Sequence, residues 1–509
     1  MTSLETEESE MTQRPAASPA NKNRRADFAV AIGAMAMQIV SGLVMIPLTV
    51  AYLSPAEITI WSVFLTFQAV NTLMEFGFTP AFSRNFTYVF AGAASLQAQG
   101  APQKAEGQGG PALLAAVLVA AQRFYFFLAA LALGVLGVGG SIYLYVLTRE
   151  HLATPALFDV SGWIQFMAGP NGGAWRAWFI LIATMSLSTY FNWQTSLLMG
   201  ADRMRQNYLV LIASRTTQVA LSVIGLMIAP NVTTLCLAYA ASILVLRLMN
   251  QRFVADIVAS VRGIKPPNAE VKQALAAVSH SATRTGWAQL GAFLGNRFNL
   301  LSISAFLGVA AASQFSVALQ AFSALSTVSY VVVGLLTPAA AAARVRRDDQ
   351  ALREISAFVL TVVLSVFICG SIALMVTGDF LLRLVHSHTT LPEVSILILM
   401  ACVGALDLAI AASTALISTG NRVPYLGAVV VTGFLVALGI VVAGLLGGNL
   451  ATFLIIQIVL LGGYSAWRWP QFLGREVGLT LHNAGPSALQ GARRLLLGRE
   501  QPGSARHVP

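Results

Sequence analysis

The sequence predicts an all-α integral membrane protein of about twelve transmembrane helices arranged as two six-helix lobes. Three observations carry this: a composition no soluble domain tolerates, a succession of long apolar runs, and a one-sided distribution of Lys and Arg. Of 509 residues, 56% are hydrophobic and only 10% are charged, with a mean hydropathy of +0.71. A soluble globular domain has about 25% charged residues.

Crossing the hydrocarbon core as a helix takes about 20 predominantly apolar residues, because each residue rises about 1.5 Å and every backbone polar group must be bonded internally. Twelve such runs follow one another: 29–52, 58–81, 124–147, 177–199, 207–229, 233–254, 285–307, 314–337, 356–377, 394–417, 424–446 and 450–469. They divide the chain into a first lobe at 29–254, an inter-lobe linker at 255–284 and a second lobe at 285–470. The start, 1–28, has an acidic cluster (Glu5, Glu7, Glu8, Glu10) followed by Lys22, Arg24 and Arg25, and no apolar core, so a disordered cytoplasmic tail is expected. The end, 471–509, carries Arg475, Arg493, Arg494 and Arg499 with three leucines between them. It suits an amphipathic piece on an anionic inner leaflet or a basic disordered tail.

The basic residues test the span count, since one omitted or invented span would scramble their alternation downstream. With the N-terminus inside, the outer side carries only Arg149, Arg176 and Arg383, and Arg215 and Arg297 fall within spans. The rest of the 31 Lys and Arg lie on the inner side, counting Arg247, Arg252 and Arg468 in the inner parts of their runs. Both termini are therefore expected to be cytoplasmic. The net charge of +10 then reflects topology, and nucleic acid is not an expected partner.

The two lobes echo each other. AYLSPAEITIWSVFLTFQ (51–68) aligns without a gap on AFLGVAAASQFSVALQAF (305–322), setting Trp61-Ser62-Val63 on Phe315-Ser316-Val317. LLMGADRMRQNYLV (197–210) aligns on LISTGNRVPYLGAV (416–429), each an inner turn after the fourth span of its lobe. Six spans per lobe make these parallel repeats, a plan of alternating-access transporters with a site between the halves.

Charged residues within spans are candidate functional groups because burial there is costly, about 2.5 to 3.5 kcal/mol on insertion scales. Arg297, in GAFLGNRFNLLSIS, lies near the expected midplane with Asn296 and Asn299 beside it and Gln289 two turns earlier. It is a candidate cationic lumen group or a structural Arg bonded to carbonyls. Arg215, with Gln218 at i+3, either lines a cavity or snorkels to the inner surface. Glu75 and Asp407 are the intramembrane acids. Each is a candidate for proton or ion coupling; the alternatives are an ion pair with Arg84 for Glu75 and a partner to a buried Arg for Asp407. Gln38, Asn71, Asn192, Gln194 and Gln320 suit lumen groups or interhelical bonds equally. Gly291 and Gly295 suit close helix packing.

Cys236, Cys369 and Cys402 stand singly in apolar sequence, so no disulfide or metal framework is read from them. No Walker loop, HExxH or GxSxG occurs, and no cofactor, metal or catalytic residue is expected. His386 and His388, with Asp159 and Asp379, are the outer-loop groups capable of chemistry; His386-Ser387-His388 suits metal binding or pH sensing, though in one short loop simple exposure is the commoner reading. Asn231-Val232-Thr233 matches a glycosylation sequon in a turn too close to the membrane to favour that use.

EFGFTPAFSRNFTYVFAGA (75–93), preceded by Ala56, Glu57 and Trp61 in an A-E-x-x-x-W pattern, resembles the O-antigen and capsule flippase-like (Wzx-type) proteins. These belong to the multidrug/oligosaccharidyl-lipid/polysaccharide (MOP) exporter superfamily. The resemblance is specific over 51–104 and elsewhere rests on the twelve-span layout. It implies a V-shaped transporter of the bacterial cytoplasmic membrane that flips an undecaprenyl-diphosphate-linked oligosaccharide to the outer leaflet through a cationic lumen. A proton or sodium gradient, membrane lipids, a polysaccharide polymerase and glycosyltransferases are the implied partners. Pro80, Arg84 and Asn85 then form a cytoplasmic gate, with Pro80 ending a helix. A cation-coupled multidrug exporter of the same superfamily is the first rival. A membrane-embedded polymerase or glycosyltransferase is the second, disfavoured by short outer loops.

Overall fold

The computed structural model describes residues 23–90, 92–93, 111–148, 155, 159–169, 172–296, 298–384, 390–420, 424–479 and 485–491. Among them every regular element is helical. The first half contains α1 (Asn23–Tyr52), α2 (Pro55–Met74), α3 (Phe78–Phe90), α4 (Pro111–Thr148), α5 (Val160–Ala168), α6 (Gly173–Gly200), α7 (Met204–Ile228) and α8 (Val232–Ser260). The second contains α9 (Asn268–Asn296), α10 (Phe298–Phe306), α11 (Gly308–Val345), α12 (Asp349–Leu384), α13 (Val394–Ser418), α14 (Leu426–Leu445) and α15 (Leu450–Val477). Eight of these helices, α4, α7, α8 and α11 to α15, are long and apolar enough to cross a membrane by themselves, and α1 adds the shorter apolar stretch Ala36–Tyr52. The chain is a multi-pass all-α membrane protein.

Helix starts follow from local chemistry. Ser54 and Glu57 form a capping box: the Glu57 N–H donates to the Ser54 hydroxyl at 3.4 Å, and the Ser54 N–H donates to the Glu57 carboxylate at 3.1 Å. Pro55 stands where its missing N–H has no helical partner to lose. The A-E-x-x-x-W pattern is thus a helix start, and Trp61 one turn on is buried. At the other end of each half the same device recurs. Asn231 caps α8 by accepting from the Thr234 N–H at 3.0 Å, and Asn449 caps α15 by accepting from the Thr452 N–H at 2.9 Å. Each opens the sixth span of its half. Asn231 therefore has a structural task within the sequon. In the connection before α6, Asp159 accepts from the Gly162 N–H and the Ser161 hydroxyl, both at 2.9 Å, which holds its carboxyl below the usual carboxylate range.

Two expectations need correction. The run 58–81 is not one helix: α2 stops at Met74, and Phe76 and Gly77 adopt positive φ values of 49° and 75° before α3 begins. Gly77 takes that conformation freely, whereas Phe76 does so at a cost. Pro80 consequently does not end a helix. It stands in the first turn of α3, where its lost N–H is already unbonded. Of the segment 255–284, residues up to Ser260 continue α8 and those from Asn268 on open α9. Arg297, His386, His388, both chain ends and most of the α3–α4 connection lie outside the described residues.

Within the first half, α8 packs on α6 and α7, α6 on α3 and α4, and α1 on α7. In the second, α9 packs on α14, α11 on α12 and α13, and α13 on α15. A Cβ on Gly291 would lie 2.6 Å from the Val429 carbonyl oxygen, and one on Gly433 would collide with the Gly291 backbone, so α9 and α14 touch backbone to backbone. The halves meet where α2 and α1 lie against α11, and where α9 lies against α3 and α4. At this boundary the Thr59 hydroxyl donates to the Val309 carbonyl at 3.0 Å, and the Tyr143 hydroxyl donates to the Leu301 carbonyl at 2.8 Å.

Candidate transport cavities

Between the halves lies a cavity of about 360 Å³, walled by α1, α2, α7, α10 and α11. Its polar lining includes Arg215, Gln218, Gln320, Ser62 and Ser316, and among the described residues no acid lines it. Ser62 and Ser316 are matched positions of the internal repeat, so the two halves present equivalent residues to one space. Arg215 stands eleven residues into α7, roughly 16 Å along the helix axis. Its guanidinium donates to the Gln218 side-chain oxygen at 3.0 Å, and no carboxylate pairs with it among the described residues. An Arg held by a neutral amide keeps donors free for an anion.

A second cavity, of about 330 Å³, opens inside the second half and shares Leu319, Ser323 and Thr327 with the first. Asn296, Asn299, Asp407 and Gln457 line it. Asp407 lies midway along α13. With the Asn296 amide nitrogen turned toward the acid, Asn296 donates to the two Asp407 carboxylate oxygens at 2.7 and 3.1 Å. Asn299 donates to the Gln457 oxygen, and Gln457 donates to the Gly295 carbonyl at 2.7 Å. The polar face that the sequence placed around Arg297 is thus shared by α9, α10, α13 and α15. On the far side of Asp407 a cavity of about 320 Å³ includes Gln289, Thr414, Tyr425 and Thr432.

Glu75 sits away from both, at the break between α2 and α3. It accepts from the Thr79 hydroxyl at 2.8 Å and from the Asn192 amide. Thr79 shares a hydrogen bond with the Tyr125 hydroxyl at 2.8 Å, and Tyr125 another with Ser196 at 3.4 Å. The ion pair with Arg84 that the sequence allowed is absent among the described residues: Arg84 is exposed on α3. Asn85 is buried and donates to the Ala81 carbonyl at 2.9 Å, and Pro80 is exposed. Phe76 instead stacks edge-on against Trp287 of α9, with ring centroids 5.8 Å apart, and its ring covers Gly286.

Sequence reasoning named the acids and arginines but missed the serines at 62 and 316 as lining groups, although the repeat had already paired them. Of the neutral candidates, Gln320 lines the central cavity, whereas Asn71 donates to Thr189 at 2.9 Å and Asn192 to Glu75, both interhelical bonds.

No family model and no curated protein matches the chain. Solved structures do. An inward-facing MATE-family multidrug resistance transporter of the MOP superfamily superposes with a TM-score of 0.61 at 13% identity, over 86% of this chain and 94% of that one. The lipid II flippase MurJ, in an inward closed conformation, superposes with a TM-score of 0.56 at 12% identity, over 93% and 94%. An outward-facing MATE transporter gives 0.51 at 13% identity, over 89% and 95%. These proteins are transporters and a flippase, and at such identities the likeness is one of fold. The chain is an all-α membrane protein with the fold of MOP-superfamily transporters.

Proposed function

We propose that the protein is a flippase for an anionic lipid-linked oligosaccharide, an undecaprenyl-diphosphate-linked repeat unit of O-antigen, capsule or exopolysaccharide, in the bacterial cytoplasmic membrane. The observation that carries this is the central cavity, in which, among the described residues, Arg215 has no acid partner and no acid contributes to the lining. A diphosphate leaving water needs fixed positive charge and strong donors, and a cationic drug would be repelled there. The similarity of 75–93 to Wzx-type proteins points to the same substrate class.

In this account the arginine-rich end of the bundle faces the cytoplasm and both termini lie there. The head group enters between the halves, Arg215 and Arg297 hold it with Asn296 and Asn299 nearby, and the lobes rock about their boundary while the lipid tail stays in the bilayer. Asp407, which accepts from the neutral Asn296 amide, supplies an ion- or proton-coupling group. Glu75, bonded to Thr79 and Asn192 beside the break in the α2–α3 path, is the second such candidate. Pro80, Arg84 and Asn85 belong to the inner mouth of the first lobe.

The second reading, a cation-coupled multidrug exporter, is favoured by that same Asp407 in its polar cavity. Reconstitution separates them. Vesicles given a fluorescent lipid-diphosphate glycan in one arm and a cationic dye in the other should flip the glycan and leave the dye untouched. Dye transport without glycan flipping would establish the exporter.

A further inference from the structure

We infer that the first half carries a second anion site, separate from the central cavity, that takes the phosphate of a phospholipid headgroup. The site is a cavity of about 480 Å³ between α4, α6 and α8, whose polar lining is Gln122, Trp193, Gln194, Arg247, Gln251 and Arg262. None of these residues lines the cavity between the halves.

Its polar groups are unmatched in a specific way. The Arg247 guanidinium lies over the Phe191 ring, 3.5 Å from Cζ to the centroid, and its Nη1 is buried without a hydrogen-bond partner. The Trp193 indole is 6% exposed and Gln194 is 1% exposed. The Trp193 Nε1 donor and the Gln194 Oε1 acceptor also lack partners. Leaving such groups unbonded is costly, and a purely structural Arg would be met by a carboxylate or a carbonyl. Among the described residues no acid lines the cavity. Two orphan donors and one orphan acceptor call for a ligand with anionic oxygens and an adjacent hydroxyl. A phosphodiester bearing a glycerol headgroup has both.

The source of that phosphate follows from the surroundings. Arg247 and Arg262 lie at opposite ends of the cavity, roughly 20 Å apart along the α8 direction. Val254, Val258 and Val261 supply an apolar wall between them. Leu244 and Leu248, on α8 beside Arg247, are 56% and 53% exposed, so this side of the helix is turned to lipid. A headgroup can therefore reach Arg247 from the bilayer side of α8. Inorganic phosphate shares the chemistry, and competition tells the two apart.

The test uses the full chain in phosphatidylcholine nanodiscs containing a headgroup-photoactivatable phosphatidylglycerol, with cross-links mapped by peptide mass spectrometry. Labelling is expected on α6 and α8 around 193–194 and 247–262, in excess of that from an equivalent phosphatidylcholine probe. Arg247→Gln should lower it about tenfold with an unchanged thermal midpoint. Competition by inorganic phosphate supports the anion site with a soluble source, and resistance to it supports the lipid source. Equal labelling by the phosphatidylcholine probe, or full labelling of folded R247Q, overturns the site. Should R247Q not fold, Trp193→Phe decides, since it keeps the ring and removes the orphan Nε1 donor: a loss of about threefold supports the site and undiminished labelling of the folded variant overturns it. No transport is measured, so the outcome is independent of the proposed flipping.

Discussion

The Gln320 side-chain amide donates to the Ser62 hydroxyl at 3.3 Å across the boundary between the halves. Ser62 belongs to the start of α2 and Gln320 to the matching region of α11, so the repeat meets itself at the wall of the central cavity. A rocking motion of one half against the other must stretch or break this contact.

Ser62→Cys with Gln320→Cys, in a chain freed of Cys236, Cys369 and Cys402, should therefore trap the protein when bridged by a short bifunctional thiol reagent. Transport should fall to background and return on reduction of a cleavable bridge. Unimpaired transport by the bridged protein would show that the halves do not separate there.

The Asp407–Asn296 pair predicts a selective defect. Asp407→Asn keeps the size and most of the hydrogen bonding but removes the charge, so the fold should survive. Stimulation of flipping by a proton or sodium gradient should be lost, while the rate without a gradient stays within about twofold of the original. A full response to both gradients in the variant would remove Asp407 from coupling.

At the α9–α14 crossing, Gly433→Val forces a side chain into the Gly291 backbone. Overpacking of this kind costs about 1–3 kcal/mol. The detergent-solubilised variant should melt several degrees lower, whereas Gly427→Ala, at a position with open space around it, should not.

Arg344 ties three helices together: it donates to Thr419 at 2.7 Å, to Glu476 at 2.5 Å and to the Leu416 carbonyl at 3.3 Å. Arg344→Ala removes charge-assisted bonds that are only partly exposed, at a cost of about 1–3 kcal/mol. Loosening should appear as faster amide exchange at the ends of α13 and α15 that adjoin it, with α12 largely unaffected.

Much of this was legible in the sequence because the bilayer imposes a length and a polarity on each span. The charge distribution and the 51–68 and 305–322 echo identified two similar halves. Hydropathy could not show where helices extend past the apolar core, as α11 and α12 do over 38 and 36 residues, because polar helix looks like loop to a hydropathy count. The break after Met74 was hidden for a different reason: it depends on the positive φ of Phe76, and a Phe gives no local signal for one. Pro80 gave a signal and misled, since a proline in a first turn starts a helix as readily as one placed later ends it. The polar partners of Glu75 and Asp407 come from helices more than a hundred residues away, Asn192 and Asn296, and only tertiary packing brings them together.

The most direct measurement is the flipping rate of a fluorescent lipid-diphosphate glycan in vesicles for the unaltered protein and for Arg215→Ala, Arg215→Lys, Arg297→Ala and Arg297→Lys. Loss of one charged hydrogen-bonding contact to the diphosphate predicts a fall of about tenfold or more in each Ala variant and partial retention in each Lys variant. Full-rate flipping by both Ala variants, correctly inserted and folded, would contradict the assignment of the cationic cavity as the path of the head group.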